Sequence, residues 1–410
     1  MKESESYSQM MVLGLATAGA VDFFHRQIIA IALGPLGQDL HLTDTQRAML
    51  VTAYAIAYAV ASLALPHFFD RYNRRNIITG AVAISGVLAL LSGMTESYMA
   101  MLFFRAGIGM AVAVIAPACQ AIIAASITVE NSSKIQGIVA AGAPTGVIIG
   151  LGLWGWVIEN YGWQLGLSLS GIATLAIAGL LFVIVGDQHR PSATKEEPGL
   201  SFASSLRHLW HIKTYRHMTL GFSLIGVAAM GAVQWLPIFL LRYHALDIKT
   251  VGMVLAGIVG VVGTISVLLS GALGARITHR DSRGPMWICA CGAILATPLF
   301  ILAYFIPSTI AAVALLSMAT LFGFVVPPQF FMVVQMVVKL PLRAFASGVA
   351  MALFTAFGLG GGVSLAGVIS EMGLWGDESL RYSLSIVTLF YLWGAMHFLV
   401  AACCCNSEKI

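Results

Sequence analysis

The chain alternates long apolar runs with short polar connections along almost its whole length. Each run is about as long as the ~20 apolar residues that an α-helix needs to cross a membrane. The pattern predicts twelve spanning helices, near residues 10–36, 46–69, 76–94, 97–126, 134–158, 165–185, 217–243, 249–275, 284–305, 308–338, 343–370 and 380–404. One long polar connection, residues 186–216, separates six runs from six. We therefore predict two six-helix halves, residues 1–185 and 217–410, joined by a cytoplasmic linker.

Composition supports a membrane protein. Only 10% of the 410 residues are charged and 59% are hydrophobic, whereas a globular domain is about 25% charged. The chain is predicted to be an all-α polytopic membrane protein with the lipid bilayer as its partner, and we expect a monomer. The basic residues lie at helix ends rather than on one face, so we expect no nucleic acid partner. The six cysteines follow no metal or disulfide spacing, and we expect no cofactor apart from a coupling proton.

A charged loop sets the orientation of the predicted spans. Between the second and third apolar runs, Asp70, Arg71, Arg74 and Arg75 lie close together. Charges of this kind avoid the hydrocarbon, and arginines next to span ends collect on the cytoplasmic side. Of the 22 lysines and arginines, two lie within spans and only four fall on the opposite side, namely Arg47, Arg242, Lys249 and Arg381. We therefore expect both termini to lie in the cytoplasm. The membrane that the chain spans is expected to be the cell membrane, in a bacterium the inner membrane.

The second half carries a degraded copy of the charged loop. Residues 271–283 combine small residues, arginines and an aspartate after the eighth run, as residues 65–75 do after the second. The connections after the first and seventh runs, residues 40–44 and 244–247, also resemble each other. Parallel repeats of this kind build transporters whose substrate site lies near the membrane midplane.

Glycine and proline cluster within three of the predicted spans. Residues 142–152 and 358–362 are rich in glycine, which allows close approach of helix backbones. Such glycines indicate either gating helices or tight packing without a gating role. Pro327 and Pro328 remove two backbone donors from the tenth span and predict a kink or break there.

Three charged residues lie clearly within predicted spans: Asp22, Arg26 and Arg105. A charge at that depth costs at least ~2.5–3.5 kcal/mol, so it indicates function by default. Asp22 and Arg26 are four residues apart and can pair on one helix face, while no acid stands near Arg105 in the sequence. The alternative for each arginine is a static brace between helices. For His25, beside Arg26, the alternative is a neutral, buried hydrogen-bonding role.

The second half has no acid or base well inside a span. Its polar candidates are the amides of Gln234, Gln329 and Gln335, the indole of Trp235 and, nearer the cytoplasm, His397. A cavity with two arginines and one carboxylate on one wall suits an anionic or amphipathic substrate. We predict that Arg26 and Arg105 hold the anionic group, opposed by Trp235, Gln335 and Gln234; for Trp235, packing alone is the alternative.

Several motifs resemble the major facilitator superfamily. They are Asp70-Arg71-x-x-Arg74-Arg75, Arg105-x-Gly107-x-Gly109 and Gly142-x-Pro144-x-Gly146. Within that superfamily, residues 42–46, 105–109, 235–242, 279–283 and 376–382 look like the spinster-type lipid transporters and related organic-anion symporters. The resemblance implies a twelve-helix fold in two pseudo-symmetric halves. It also implies that Asp70, Arg71, Arg74 and Arg75 form a cytoplasmic gating motif, in which Asp70 caps a neighbouring helix.

Three positions depart from the family pattern. The span-one Asp-Arg pair stands here as His25-Arg26, the span-four glutamate is Val112, and the glycine that opens the loop motif is Pro66. In the family those carboxylates are implicated in proton coupling. Asp22, one turn before Arg26, is the remaining acid at that depth, so we predict Asp22 and His25 as the proton-coupling pair.

Together these features predict a transporter that works by alternating access. Its substrate would be a small organic anion or an amphipathic, lysolipid-like solute. The alternatives are a facilitator without proton coupling and a transport-inactive sensor or scaffold. An enzyme is disfavoured because the chain offers no nucleophile, base or metal constellation at depth beyond Asp22 and His25.

Overall fold

The computed structural model of the chain describes residues 2–64, 73–126, 138–139, 141–185, 202–278, 280–339 and 342–405, and regular structure within them is helical. In the first half the α-helices are α1 (Lys2–Asp39), α2 (Asp44–Ala64), α3 (Arg74–Gly93), α4 (Tyr98–Val112), α5 (Ile115–Ser126), α6 (Gly142–Ile148) and α7 (Trp154–Ile184). In the second half they are α8 (Phe202–His211), α9 (Lys213–His244), α10 (Ile248–Leu255), α11 (Gly263–Thr278), α12 (Gly284–Phe305), α13 (Thr309–Gly323), α14 (Val326–Val337), α15 (Arg343–Thr355), α16 (Val363–Glu371), α17 (Ser379–Thr388) and α18 (Phe390–Cys405).

Nine helical stretches in the described part of the chain are long and apolar enough to cross a membrane. One of them, Gly142–Ile184, covers the fifth and sixth predicted spans, because two helical parts meet there directly at a kink at Gly162, whose backbone angles are not helical (φ 80°, ψ 164°). That positive φ favours glycine, which has no Cβ to clash. Helices α1 and α2 occupy the first two predicted spans without being among the nine. The predicted segments are therefore largely helical over their described residues, while twelve spans as a count stays a prediction.

Prolines break the tenth predicted span, as the sequence indicates. Helix α13 ends at Gly323 and α14 begins at Val326, which puts Pro327 and Pro328 in the first turn of the new helix. Backbone N–H groups in a first turn have no partner within the helix, so their loss costs least there.

The fourth predicted span is broken in the same way, which the sequence analysis missed. Helix α4 ends at Val112 and α5 begins at Ile115, two residues before Pro117. A proline ring clashes with the carbonyl four residues earlier, here that of Ala113, and stops the helix. Equivalent breaks in spans four and ten agree with two halves of common design.

Short π-helical segments lie inside three predicted spans. They are Ile149–Leu153, Ala256–Val262 and Ala356–Gly362, in the fifth, eighth and eleventh spans. A π segment adds one residue to a helical turn and is common at functional sites. Here each segment contains glycines.

Glycines bring α1 and α6 into backbone contact. A Cβ at Gly142 would collide with the carbonyl of Ala16, and one at Gly146 with the carbonyl of Ala20. No larger residue fits these two positions without moving a helix. The glycine cluster predicted in the fifth span therefore serves close approach to the first span.

The second half repeats this arrangement. A Cβ at Gly358 would meet the carbonyl of Gly226, and one at Gly362 would collide with the carbonyl of Val227. The π segment of the eleventh span thus packs on α9 as the fifth span packs on α1. This correspondence supports the internal repeat seen in the sequence.

The chain forms two compact units. Unit 1 comprises Met1–Lys195 with Leu246–Ala256, and unit 2 comprises Glu196–Ala245 with Gly257–Ile410. The first turns of the eighth span therefore belong to unit 1, although they follow the seventh span in sequence. The division into residues 1–185, 186–216 and 217–410 stays a prediction.

Two contacts attach the start of α10 to α7 within unit 1. The backbone N–H of Ile248 donates to Oε2 of Glu159 at 2.9 Å, and a Cβ at Gly155 would lie 3.2 Å from the Cα of Gly252. A carboxylate at a helix N-terminus accepts from N–H groups that have no partner within the helix.

Candidate functional site

Asp22 and Arg26 form a bidentate ion pair inside unit 1. Nε of Arg26 donates to Oδ1 of Asp22 at 3.0 Å, and Nη2 donates to Oδ2 at 3.0 Å. The side chains are 8% and 11% exposed, respectively. The pairing predicted from their spacing of four residues is confirmed. Such parallel bonds fix both groups more firmly than a single contact would.

Two tyrosines of α2 complete this pair. The hydroxyl of Tyr54 donates to Oδ1 of Asp22 at 2.6 Å, and the guanidinium of Arg26 lies 4.5 Å from the ring centroid of Tyr58. Cation–π contact of this kind stabilises a desolvated cation by up to ~2 kcal/mol. Neither tyrosine was among the predicted site residues, because both lie about thirty positions away in another helix and no charge marks them.

Tyr54 also contacts the second predicted cation. Cζ of Arg105 lies 4.8 Å from the Tyr54 ring centroid, and Cζ of Arg26 lies 5.8 Å from it. Helix α4 reaches α2 here because Gly109 sits against the carbonyl of Tyr54, where a Cβ would collide. One buried tyrosine therefore stands between both arginines.

Arg105 braces three helices through main-chain carbonyls. Its Nη1 donates to the carbonyl of His25 at 3.1 Å and its Nε to the carbonyl of Leu50 at 3.3 Å. Nη2 has no hydrogen-bond partner among the described residues, and the residue is 2% exposed. The cavity beside Arg105 measures about 10 Å³, close to the least that holds one water. In this arrangement Arg105 has no room for an organic anion, so its substrate role stays a prediction.

His25 contacts a threonine of α7. Its Nε2 lies 3.4 Å from Oγ1 of Thr174 on α7, and the residue is 1% exposed. His25 lies three residues after Asp22 on α1, and in this structure its ring nitrogen faces Thr174. Its part in proton coupling stays a prediction.

The three predicted contacts of the second half lie in unit 2. Trp235 is fully buried and donates its Nε1 to the carbonyl of Val363 at 3.1 Å. Gln234 is 1% exposed, and neither its Oε1 nor its Nε2 has a partner in the described part of the chain. Gln335 is exposed on α14. A buried amide without partners costs free energy, so Gln234 is the strongest ligand candidate of the three.

The predicted gating motif is described only in part. Asp70 and Arg71 lie outside the described residues. Arg74 and Arg75 open α3, where the side chain of Asn73 accepts from the backbone N–H of Arg75. The guanidinium of Arg75 lies 4.3 Å from the ring centroid of Phe182 on α7, so within unit 1 it ties the start of the third span to the end of the sixth.

Across the described residues, no group of three or more His, Cys, Asp or Glu side chains could hold a metal ion. The described polar groups at span depth in unit 1 include one ion pair, one braced cation, two tyrosines and His25. This set can bind or exchange an ion.

A helical membrane bundle with an ion pair at span depth defines a class, that of membrane transport proteins. The family model described as Major Facilitator Superfamily matches residues 15–365. The chain belongs to the major facilitator superfamily and is a multi-pass membrane transporter rather than an enzyme.

The chain is similar to several characterised relatives. It is 23% identical to an MFS-type efflux pump of Mycolicibacterium smegmatis, over 95% of this chain and 91% of the pump. It is 22% identical to human protein spinster homolog 1 and 22% identical to the probable L-galactonate transporter of Escherichia coli. The matches cover 73% and 63% of this chain, and 60% of each of those two relatives. The spinster branch named from the sequence motifs is confirmed.

Solved structures share the fold. A bacterial homolog of the human lysosomal transporter Spinster, in an inward-facing and unoccupied conformation, superposes with a TM-score of 0.87. That pair is 20% identical over 98% of both chains. The nucleoside transporter NupG superposes with a TM-score of 0.70 at 14% identity, over 95% of this chain and 98% of NupG.

Proposed function

We propose that the protein is a secondary transporter that moves a small organic anion or an amphipathic, lysolipid-like solute by alternating access. The Asp22–Arg26 pair carries this proposal. It places a partly exposed cation at span depth, held by an acid that an incoming anion can replace. The name of one relative supports the organic-anion class, since L-galactonate is an organic anion.

Arg26 is the better substrate contact of the two arginines. Its side chain is 11% exposed, whereas Arg105 is 2% exposed and donates to two main-chain carbonyls. A substrate carboxylate or phosphate would compete with Asp22 for the two guanidinium N–H groups of Arg26. Arg105 would hold α1, α2 and α4 in register around that event.

Displacement of Asp22 supplies a route to proton coupling. Once a substrate anion takes Arg26, Asp22 loses its cation while Tyr54 still donates to it. An acid buried without a counter-charge binds a proton more readily. Substrate and proton would then enter the same site together, with His25 as the second titratable group.

A facilitator without proton coupling is the second candidate, and one observation favours it. Asp22 accepts three hydrogen bonds, two from Arg26 and one from Tyr54. A carboxylate held by three donors acts as a brace, and a brace takes no part in moving protons.

Ligand-dependent stability of the purified protein tests the substrate class. Binding to the native state raises Tm by mass action, so organic anions and lysophospholipids should be compared in the same detergent. We expect the stabilising compound to lose its effect in Arg26→Gln. It should keep its effect in Arg381→Gln, which removes an arginine from an ion pair with Glu378 outside the site. Equal stabilisation of both variants by the compound would show that Arg26 is not part of the binding site.

Orientation is part of the same proposal. We place Lys249 and Glu371, both exposed, on the outside and the linker residue Lys195 in the cytoplasm. Single-cysteine variants at the three positions should react with an impermeant maleimide in intact cells only at 249 and 371. Labelling at 195 in intact cells would show that the assigned orientation is wrong.

A further inference from the structure

A groove runs between α1, α6 and the second part of α7. Its volume is about 430 Å³, and all of its lining residues belong to unit 1. Ala16 and Ala20 form the α1 wall, Gly142 and Thr145 the α6 wall, and Thr174 lies on the α7 wall. The volume falls in the range of ligand sites, roughly 300–1,000 Å³. We call it the α1/α6/α7 groove.

The hydroxyl groups in the groove are already bonded. Thr17, Thr145 and Thr174 each donate to the carbonyl four residues earlier in their own helix, at 2.8 Å in each case. The one indole in the lining, of Trp154, donates its Nε1 to the carbonyl of Gly166 at 2.8 Å. Among the described lining residues, no side-chain donor is left to bind a polar ligand. The chemistry of the groove therefore selects hydrocarbon.

The rim of the groove is apolar and open. Leu13 is 60% exposed, Ile138 38% and Ile149 37%. These residues lie within the first and fifth predicted spans, where an exposed side chain of a membrane protein meets lipid rather than water. Large side chains exposed at that depth are suited to contact with acyl chains.

We infer that the α1/α6/α7 groove binds an acyl chain of a phospholipid from the surrounding bilayer. The acyl chain enters past Leu13 and Ile138 and ends against Phe24 and Trp154, whose rings pack edge to face at 4.8 Å. The bound chain lies on the face of α1 opposite Asp22 and acts as a structural ligand of unit 1. This site is separate from the substrate site proposed above, so either proposal can fail alone.

A groove-filling substitution tests the inference in the purified, delipidated full chain. Ala173 lines the groove, whereas Ala176 on the same helix is exposed and does not. Palmitoyl-oleoyl phosphatidylglycerol in detergent micelles should raise Tm of the wild type by a few degrees and saturate. Ala176→Leu should show the same rise, and Ala173→Leu should lose it, because leucine occupies the space of the chain. Dihexanoyl phosphatidylglycerol, which has the same headgroup, should give no rise.

A photolabel provides a second measurement that needs no variant. After reconstitution with a phospholipid that carries a diazirine on its acyl chain and extraction into detergent, the retained lipid is activated by light. Mass spectrometry should find adducts concentrated in residues 138–149 and 173–177. Adducts spread evenly over exposed positions such as Ile172 and Val183 would overturn the inference. So would an equal rise in Tm for Ala173→Leu and Ala176→Leu, or for the short-chain lipid.

Discussion

Replacing Asp22 by asparagine removes the charge and keeps the shape of the side chain. Arg26 then loses the one ion-pair partner it has among the described residues, at a position that is 11% exposed, while Tyr54 still has an oxygen to donate to. Removing one partner of a buried pair costs ~3–5 kcal/mol, because it leaves an uncompensated charge. We expect Asp22→Asn to lower the free energy of unfolding by about that amount.

A double-mutant cycle separates pairing from other effects of the substitution. Arg26→Gln alone should cost a similar amount, while the double variant Asp22→Asn/Arg26→Gln leaves no unpaired charge and should cost less than the sum. The difference should be several times the ~0.3–0.5 kcal/mol within which independent sites add. Additive costs would refute an energetic link between the two residues.

The functional arm of this prediction uses proteoliposomes. Asp22→Asn mimics a permanently protonated acid, so counterflow exchange of substrate should survive while accumulation driven by a pH gradient is lost. The wild type must be measured in parallel. If the wild type shows no accumulation driven by a pH gradient, the protein is a facilitator without proton coupling. Uphill accumulation that persists in Asp22→Asn would move the coupling role to His25 or to another ion.

Three further predictions concern the surroundings of the pair. Tyr54→Phe removes a hydrogen bond to a charged group and should cost ~1.5–3 kcal/mol; a chemical melt that shows no loss would contradict the contact with Asp22. Arg105→Gln should abolish transport of an anionic substrate, because α1, α2 and α4 lose their common brace, while folding survives, since the lost bonds are partly offset by ~2.5–3.5 kcal/mol from removing a charge at depth; unchanged uptake would show that transport does not need this brace. Gly109→Ala should destabilise by ~1–3 kcal/mol through the clash with the Tyr54 carbonyl, whereas Gly80→Ala, with open space around it, should not; equal melting of the two would refute the close approach.

The apolar runs and the helix-breaking prolines were enough to place the helices. Runs of apolar residues located the helical segments, and Pro327-Pro328 located the break in the tenth span. The interruption at Gly162 falls in the predicted connection between the fifth and sixth spans, residues 159–164. Its form was not predictable, because the chain turns there at the backbone angles of a single glycine and not through a loop. The π segments were missed for a similar reason, since one added residue per turn leaves the apolar pattern intact.

The candidate site was predictable where its partners are close in sequence. Asp22 and Arg26 share a helix face, so spacing alone predicts their pair. Tyr54 was not found, because its contact with Asp22 depends on how α2 packs against α1, and a tyrosine carries no charge that would mark it at depth. The carbonyl partners of Arg105 are invisible to sequence reasoning as well, since every residue has a carbonyl.

The attachment of Leu246–Ala256 to unit 1 has a consequence for dividing the protein. A gene divided within the 186–216 connection would yield a first fragment that lacks two features of α10. These are the turn at Gly252 that covers Gly155 and the backbone N–H of Ile248 that donates to Glu159. That fragment would expose a glycine surface and would recover its cover only by association with the second fragment. Co-expressed fragments should therefore complement each other, and a fragment that extends to residue 256 should accumulate better than one that ends before residue 246.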